Sequence, residues 1–339
     1  MRFTRFMTAL GLVATLAVVA PTALAATPVP AHVYSPYFET WTADSLATTA
    51  QQSGARYFTM AFLQTLGKSS CTLAWNGDKA RRIDSNAYVE DIAALRGMGG
   101  DVIPSFGGWS ADQGGTEIGD SCKDVNMIAA AYEAVVMKYD VSRLDMDIEG
   151  RSLTRTDGID RRNKAIKILQ DWAAAQRRPL TISWTLPTSR NGLEASGLAV
   201  LKNALANHVR IDVVTPMVFD YYDRAKLDMG DSAISAVQGL NTQLAGLFPA
   251  RTPEQLWAME GATIMNGLDD YPRKTESTSV QDAQQLLAFA QANGMSILSM
   301  WAIQRDNGGC VGSTGSNDCS GIAQSEWEFT HTLGGFTTP

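Results

Sequence analysis

The segment VSRLDMDIEG, residues 141–150, holds the residue types most suited to chemistry. In a β-strand successive side chains point to opposite faces, so Asp145, Asp147 and Glu149 share one face and Leu144, Met146 and Ile148 the other. A parallel sheet covered by helices is apolar on both faces. Three carboxylates in a row are a costly departure from that rule. Crowding and desolvation push carboxyl pKa values upward, which is how an acid stays protonated near neutral pH. The chemistry on offer is therefore proton donation by a general acid. A solvated strand face would conflict with the apolar segments on either side. A calcium loop would need the EF-hand spacing and its glycine.

Such a row needs a scaffold. Short β-branched and aromatic runs alternate with segments of helical period, the pattern of repeated βα units. The strand candidates are HVYSPYF from His32, RYFTMAFL from Arg56, DVIPSF from Asp101, the decamer, PLTISWTL from Pro179, IDVVTPMVFD from Ile211, EQLWAMEGATIM from Glu254 and MSILSMWAI from Met295. Helix candidates between them include NAYVEDIAALRGM, DVNMIAAAYEAVVMKYD, DRRNKAIKILQDWAAAQ and DAQQLLAFAQANG. This arithmetic predicts an α/β fold of the (β/α)8 TIM-barrel type, in a single domain over residues 26–339. A doubly wound open sheet is the runner-up, but no G-x-G-x-x-G follows the first strand. In a barrel the chemistry gathers at the C-terminal strand ends. Glu149 ends strand four, Gly107, Gly108 and Trp109 follow strand three, Asp220, Tyr221 and Tyr222 follow strand six, and Trp301 lies near the end of strand eight. Aromatic rings and acids together suit a sugar, whose apolar faces stack on rings and whose hydroxyls bond to carboxylates.

Composition narrows the partners. The chain of 339 residues carries a formal net charge of −7. Residues 1–25 read as an export signal, with Arg2 and Arg5, the apolar run LGLVATLAVVA and the small-residue site Ala23-Leu24-Ala25. Its removal would take the net charge to about −9. An acidic chain without a basic cluster is a poor partner for nucleic acid or an anionic membrane. A secreted monomer, extracellular or periplasmic and without a membrane span after processing, is the expectation. Four cysteines fit an oxidising compartment. Cys310 and Cys319 flank the loop GGCVGSTGSNDCSG and are expected to pair, leaving Cys71 with Cys122. No zinc spacing is present, and His32, His208 and His331 lie far apart, so neither a metal nor a cofactor is called for.

The decamer resembles the D-G-x-D-x-D-x-E signature of family 18 glycoside hydrolases, the chitinases and endo-β-N-acetylglucosaminidases. Asp145, Asp147 and Glu149 match its last three acids, whereas Ser142-Arg143 stands where the signature opens with Asp-Gly. Ser105-Phe106-Gly107-Gly108 is similar to the S-x-G-G of strand three. Met217 to Tyr221 resembles the strand-six motif, with Phe219 where many relatives have Tyr. MNGLDD from Met265 is similar to the strand-seven M-x-G-x-[ND]-D, and Trp301 falls where the family keeps a tryptophan under the sugar. The resemblance implies hydrolysis of β-1,4-linked N-acetylglucosamine, in chitin, its oligosaccharides or an N-glycan core. It implies that Glu149 protonates the glycosidic oxygen while the substrate's acetamido carbonyl attacks C1. Asp147 would orient that acetamido group, Asp145 would lie buried behind it, Tyr221 would bond the acetamido oxygen, and Trp301 would floor the sugar. Tyr37, Ser105, Gly107, Gly108, Trp109, Met217, Asp220 and Met265 complete the expected substrate site.

Two other readings use the same residues. A lectin-like relative would bind sugar without turnover. A two-carboxylate glycosidase would need a second acid on another strand, for which Glu260, Asp220 and Asp269 are the candidates. No long insertion separates strands seven and eight, which fits endo action.

Overall fold

A computed structural model describes residues 28–271 and 273–337. The predicted export signal lies outside the described residues. The barrel strands are β1 (Val33–Tyr34 and Tyr37–Glu39), β2 (Tyr57–Thr65), β3 (Asp101–Gly107), β4 (Arg143–Asp147), β5 (Thr181–Ser189), β6 (Val213–Met217), β7 (Gly261–Met265) and β8 (Ile297–Trp301). They pair in parallel, each with its neighbours in the chain, and the sheet closes through β1: its first piece lies on β8 and its second on β2. Helices α1 (Leu46–Ser53), α2 (Val89–Gly97), α3 (Trp109–Gly114), α4 (Ile118–Ser121), α5 (Val125–Tyr139), α6 (Thr156–Ala175), α7 (Ala195–Ala206), α8 (Met229–Leu247), α9 (Pro253–Trp257), α10 (Val280–Asn293) and α11 (Glu328–Leu333) complete the βα repeat. The expected (β/α)8 barrel is the observed one.

Two strand expectations need correction. The first strand is interrupted at Ser35-Pro36, because Pro36 has no N–H to give to a ladder. The freed Ser35 carbonyl accepts from the hydroxyls of Ser299 (2.7 Å) and Thr59 (3.2 Å) inside the barrel. The run from Glu254 is not all strand: it starts as α9, and β7 begins only at Gly261. Thr252 and Gln255 form a reciprocal capping box with Pro253 in the first helical turn, a start signal stronger than the apolar pattern that follows.

The outward faces of the strands bury against the helices. Leu144, Met146 and Ile148 of the β4 segment join Val135, Val136 and Ile166 in one large core. The barrel interior is layered differently. Val33, Tyr57, Ile103, Val213 and Ile297 plug the N-terminal end, while Tyr37, Ala61, Phe62 and Ala302 pack at the other. Between them lie buried polar side chains, including Thr59, Ser105, Asp145, Ser183, Thr185, Thr215, Thr263 and Ser299. Cys71 pairs with Cys122 and Cys310 with Cys319, as expected, with Cα separations of 4.7 and 5.9 Å.

The two faces of β4 should respond differently to truncation. Leu144→Ala removes a fully buried side chain from the outer core and is expected to cost about 2–5 kcal/mol of unfolding free energy in urea, with little loss of activity per folded molecule.

Candidate active site

The inward row of β4 runs from the barrel interior to its mouth, with Asp145 and Asp147 both buried and Glu149 the first to open. Asp145 is buried deepest and accepts three hydroxyl hydrogen bonds: Tyr37 Oη at 2.9 Å and Ser105 Oγ at 2.7 Å on Oδ2, and Thr185 Oγ1 at 2.8 Å on Oδ1. These bonds come from β1, β3 and β5, so three other strands fix one carboxylate. Burial pushes its pKa up, and the three donors work against that rise. Asp147 is also buried, its Oδ1 has no partner, and its pKa is driven well above the usual range by burial and then by the charges of Glu149, Asp145 and Asp112. Glu149 is partly open to the cleft. Burial raises its pKa to about 7, opposed by a hydrogen bond from the Trp109 N–H and assisted by the charge of Asp270. Such a carboxyl carries a proton near neutrality and can give it up.

The turn after β3 holds Glu149 in place. Its backbone N–H donates to Asp112 on α3, while the Trp109 N–H at the start of the same helix donates to the Glu149 carboxyl. Asp112 is fully buried, and burial followed by the charge of Glu117 raises its pKa strongly. This close approach requires glycine. A Cβ on Gly107 (φ 103°) would stand 2.1 Å from the Asp147 carbonyl oxygen, and one on Gly108 would meet the Phe62 ring at 2.5 Å. The sequence marked the two glycines but not Asp112, which lies on no strand and carries no periodic signal.

Above the row lies a cleft of about 440 Å³. Of the expected site residues, Tyr37, Gly107, Trp109, Asp147, Glu149, Met217, Asp220 and Trp301 line it. Trp109 is 60% exposed on its rim. Trp301 stacks on Phe62 at 5.5 Å with 11° between planes, and Trp41 packs against both, 6.0 Å from Trp301 and 6.5 Å from Phe62. Sequence reasoning missed both Phe62 and Trp41. Phe62 sits within the predicted second strand, but only barrel closure brings it beside Trp301.

Four of the residues expected to contact the substrate do not line the cleft. Tyr221 does not face the cleft: it packs beside the main core, and its buried hydroxyl has no partner. Tyr222, 58% exposed, lines the cleft instead. The backbone takes positive φ at Asp220 and Tyr222, so strand alternation does not continue past β6. Met265 lies buried beside Trp301 in the β7–β8 register rather than on the cleft surface. Ser105 and Gly108 likewise act from below, through Asp145 and Phe62.

The loop bearing Asp220 is clamped by acids after β7. Asp269 accepts from the Asp220 N–H at 3.2 Å, and Glu276 accepts from the N–H groups of Tyr221 at 2.7 Å and Asp223 at 2.9 Å. Burial, with the charges of Asp269 and Asp270, lifts Asp220 to about 8. The candidates for a second catalytic acid are thereby sorted. Glu260 is fully buried at the N-terminal end of β7, bonded to Asn241, and lines no part of the cleft. Asp269 is occupied as a loop clamp, and only Asp220 reaches the cleft wall.

Fold and site together define a (β/α)8 barrel whose C-terminal mouth is an aromatic cleft over a carboxylate row. The chain belongs to glycosyl hydrolases family 18, whose family profile matches residues 33–306. It is 32% identical over 287 residues to a probable bifunctional chitinase/lysozyme of Escherichia coli K12, covering 82% of this chain and 31% of that protein. It is 31% identical over 288 residues to endochitinase 11 of Metarhizium anisopliae, covering 82% of this chain and 53% of that protein. The chain thus spans about a third to about half of the curated relatives it matches. The catalytic domain of a hyperthermophilic chitinase from Pyrococcus furiosus superposes with a TM-score of 0.79 at 28% identity, over 92% of this chain and 96% of that one.

Gly107→Ala forces a Cβ against the strand that carries the acids. The expected outcome is about 1–3 kcal/mol of lost stability in chemical denaturation, together with loss of activity in the molecules that remain folded.

Proposed function

We propose that this protein is an exported chitinase that cleaves β-1,4-linked N-acetylglucosamine chains with retention, using the substrate's own acetamido group as nucleophile. The observation that carries the reading is the buried Asp145–Asp147–Glu149 row, whose last member, with a pKa near 7, stands beneath an aromatic cleft. The names of the relatives support it. So does the Pyrococcus furiosus chitinase, whose catalytic-site mutants have been solved with chito-oligosaccharides. Two disulfides suit an oxidising compartment.

The mechanism follows from the groups present. Trp301 and Phe62 give the sugar an apolar floor, and Trp109 offers a ring at the rim. Glu149 transfers its proton to the glycosidic oxygen as the C1–O bond breaks. The acetamido carbonyl oxygen forms the new bond to C1, leaving an oxazolinium ion whose positive charge sits beside Asp147. Tyr222 takes the role the sequence had suggested for Tyr221, donating to the acetamido oxygen: its hydroxyl lies in the field of Asp220, Asp270 and Glu149 on the cleft wall. The carboxylate of Glu149 then accepts a proton from the water that attacks C1, and the product is released as the β-anomer.

In an assay on a chitooligosaccharide, Glu149→Gln is expected to lower the rate by about 10² to 10⁴ while the fold is kept. An unchanged rate would show that Glu149 is not the acid. Sugar binding without turnover in both forms would indicate a lectin. Only the protonated acid can donate, and burial raises this carboxyl to about 7. The activity should therefore fall about tenfold per unit above that pH, the basic limb of its profile.

The connection from β7 to β8 contains a two-residue antiparallel pair, Gly267–Leu268 with Ser277–Thr278, followed by α10. This short connection supports endo action. Digestion of a defined hexamer should give internal cuts with products of several lengths; release of terminal disaccharides alone would refute it.

A further inference from the structure

The inward face of β4 does not begin with Asp145. Alternation places Arg143 on the same face, one step deeper in the barrel, at the position where the family signature has glycine. Arg143 is buried, its Nε donates to Ser183 Oγ at 3.0 Å, and its Nη2 has no partner. Ser183 pairs directly with Asp145 across the β4–β5 ladder, so the guanidinium is anchored to the residue beside that carboxylate. Ser183 and Asp145 also share the lining of a cavity of about 10 Å³, into which the hydroxyl-bearing Thr215 and Thr263 face without hydrogen-bond partners of their own. That volume suits one water molecule with polar neighbours on several sides.

A buried arginine is costly and needs a reason. Below it, Asp212 contributes negative charge but is itself engaged by the Ile182 N–H at 2.9 Å and by Arg210. Above it stand Asp145, then Asp147, Glu149 and Asp112, with the neutral hydroxyl of Tyr37 on Asp145. Every hydrogen-bond donor that touches the Asp145 carboxylate is an uncharged hydroxyl. The three hydroxyls orient the carboxylate and lower its pKa, and the strand's own next inward residue adds a positive charge to them.

We propose that Arg143 is a positioning residue for the reaction: it holds one negative charge on the Asp145–Asp147 pair, so that the pair keeps a single shared proton when the oxazolinium ion forms. Without this cation the buried pair takes up a second proton as the pH falls towards neutrality, and no anion remains to face the positive charge of the intermediate. The effect of Arg143 on Asp145 has the required sign: burial raises the carboxyl's affinity for protons, the three hydroxyl hydrogen bonds lower it, and the nearby guanidinium lowers it further. Removing the cation must therefore move loss of the anion to higher pH. The catalytic consequence rests on the substrate-assisted reading; the charge relation between Arg143 and Asp145 does not.

The test compares wild type, Arg143→Gln and Arg143→Lys by two measurements. In protein labelled with ¹³Cγ-aspartate, the signal lost in Asp145→Asn identifies Asp145, and its titration midpoint should rise by about one unit in Arg143→Gln and return towards wild type in Arg143→Lys. In the chitooligosaccharide assay, the acid limb of kcat/KM should move up with it, while the basic limb set by Glu149 stays in place. Coincident midpoints in all three proteins overturn the proposal, whatever the variants do to stability. A shifted midpoint without hydrolysis by wild type overturns the chitinase reading and the catalytic role while retaining the charge relation. Should Arg143→Gln fail to fold, the double variant Arg143→Gln, Asp145→Asn is expected to fold, because the uncompensated anion is gone. Its failure would show that Arg143 serves packing alone.

Discussion

The structure depends on the burial of like charges on one strand. Asp145 and Asp147 lie on adjacent inward positions of β4, with Glu149 following at the mouth, and burial is the leading cause of the raised pKa of each. Left alone, such a row would expel its charge or unfold the strand. The barrel instead supplies it with hydroxyls from β1, β3 and β5 at the bottom, backbone N–H groups from the turn after β3 at the top, and a guanidinium beneath. Within the polar middle layer of this barrel, Ser105, Ser183 and Thr185 are the complement of that single strand. The aliphatic layers usual in such barrels are confined here to the N-terminal plug.

The same constraint explains the turn after β3. Glu149 must be half-open to reach a substrate, yet a partly exposed glutamate has flexible torsions. Two backbone-level contacts, its own N–H to Asp112 and the Trp109 N–H to its carboxyl, remove much of that freedom. They require α3 to sit almost on top of β4, which is why Gly107 cannot carry a side chain, while at Gly108 the Phe62 ring leaves no room for one. Pre-organisation of this kind is bought with local stability, since Asp112 is buried with one oxygen unpartnered.

What could be read from the sequence divides along physical lines. Period-two alternation is a strong local signal, so the acid row on β4 was legible from VSRLDMDIEG, and the repeated βα pattern gave the barrel. Residues placed by chain closure were not legible: Phe62 is an ordinary strand aromatic until β2 and β8 converge, and Trp41 joins it from the turn after β1. The motif resemblance implies Tyr221 as the donor, but a motif carries no backbone geometry, and with positive φ at Asp220 and Tyr222 it is Tyr222 that lines the cleft. Before the seventh strand the apolar run from Glu254 outweighs, in the sequence, the Thr252-Pro253 helix start that the structure obeys. Arg143 was visible as a departure from the signature, but its importance comes from facing inward, which a flanking position does not suggest.

Along β4 the chemistry follows position in the barrel, with three buried groups below and only Glu149 open to solvent. Arg143 lies deepest, Asp145 next, Asp147 beneath the cleft floor, and Glu149 at the opening. A proton donor must meet its substrate, so the titrating acid belongs at the mouth. A charge meant to stay fixed is best kept where neither solvent nor substrate reaches it, and where the low dielectric makes its field strong. Strand geometry delivers both with one inward residue every second position. The cost is that each charge must be balanced by its neighbours on the same strand or by hydroxyls from adjacent ones. A neutral replacement anywhere in the row is consequently felt at the other positions, and the proton that Glu149 donates depends on the residues below it.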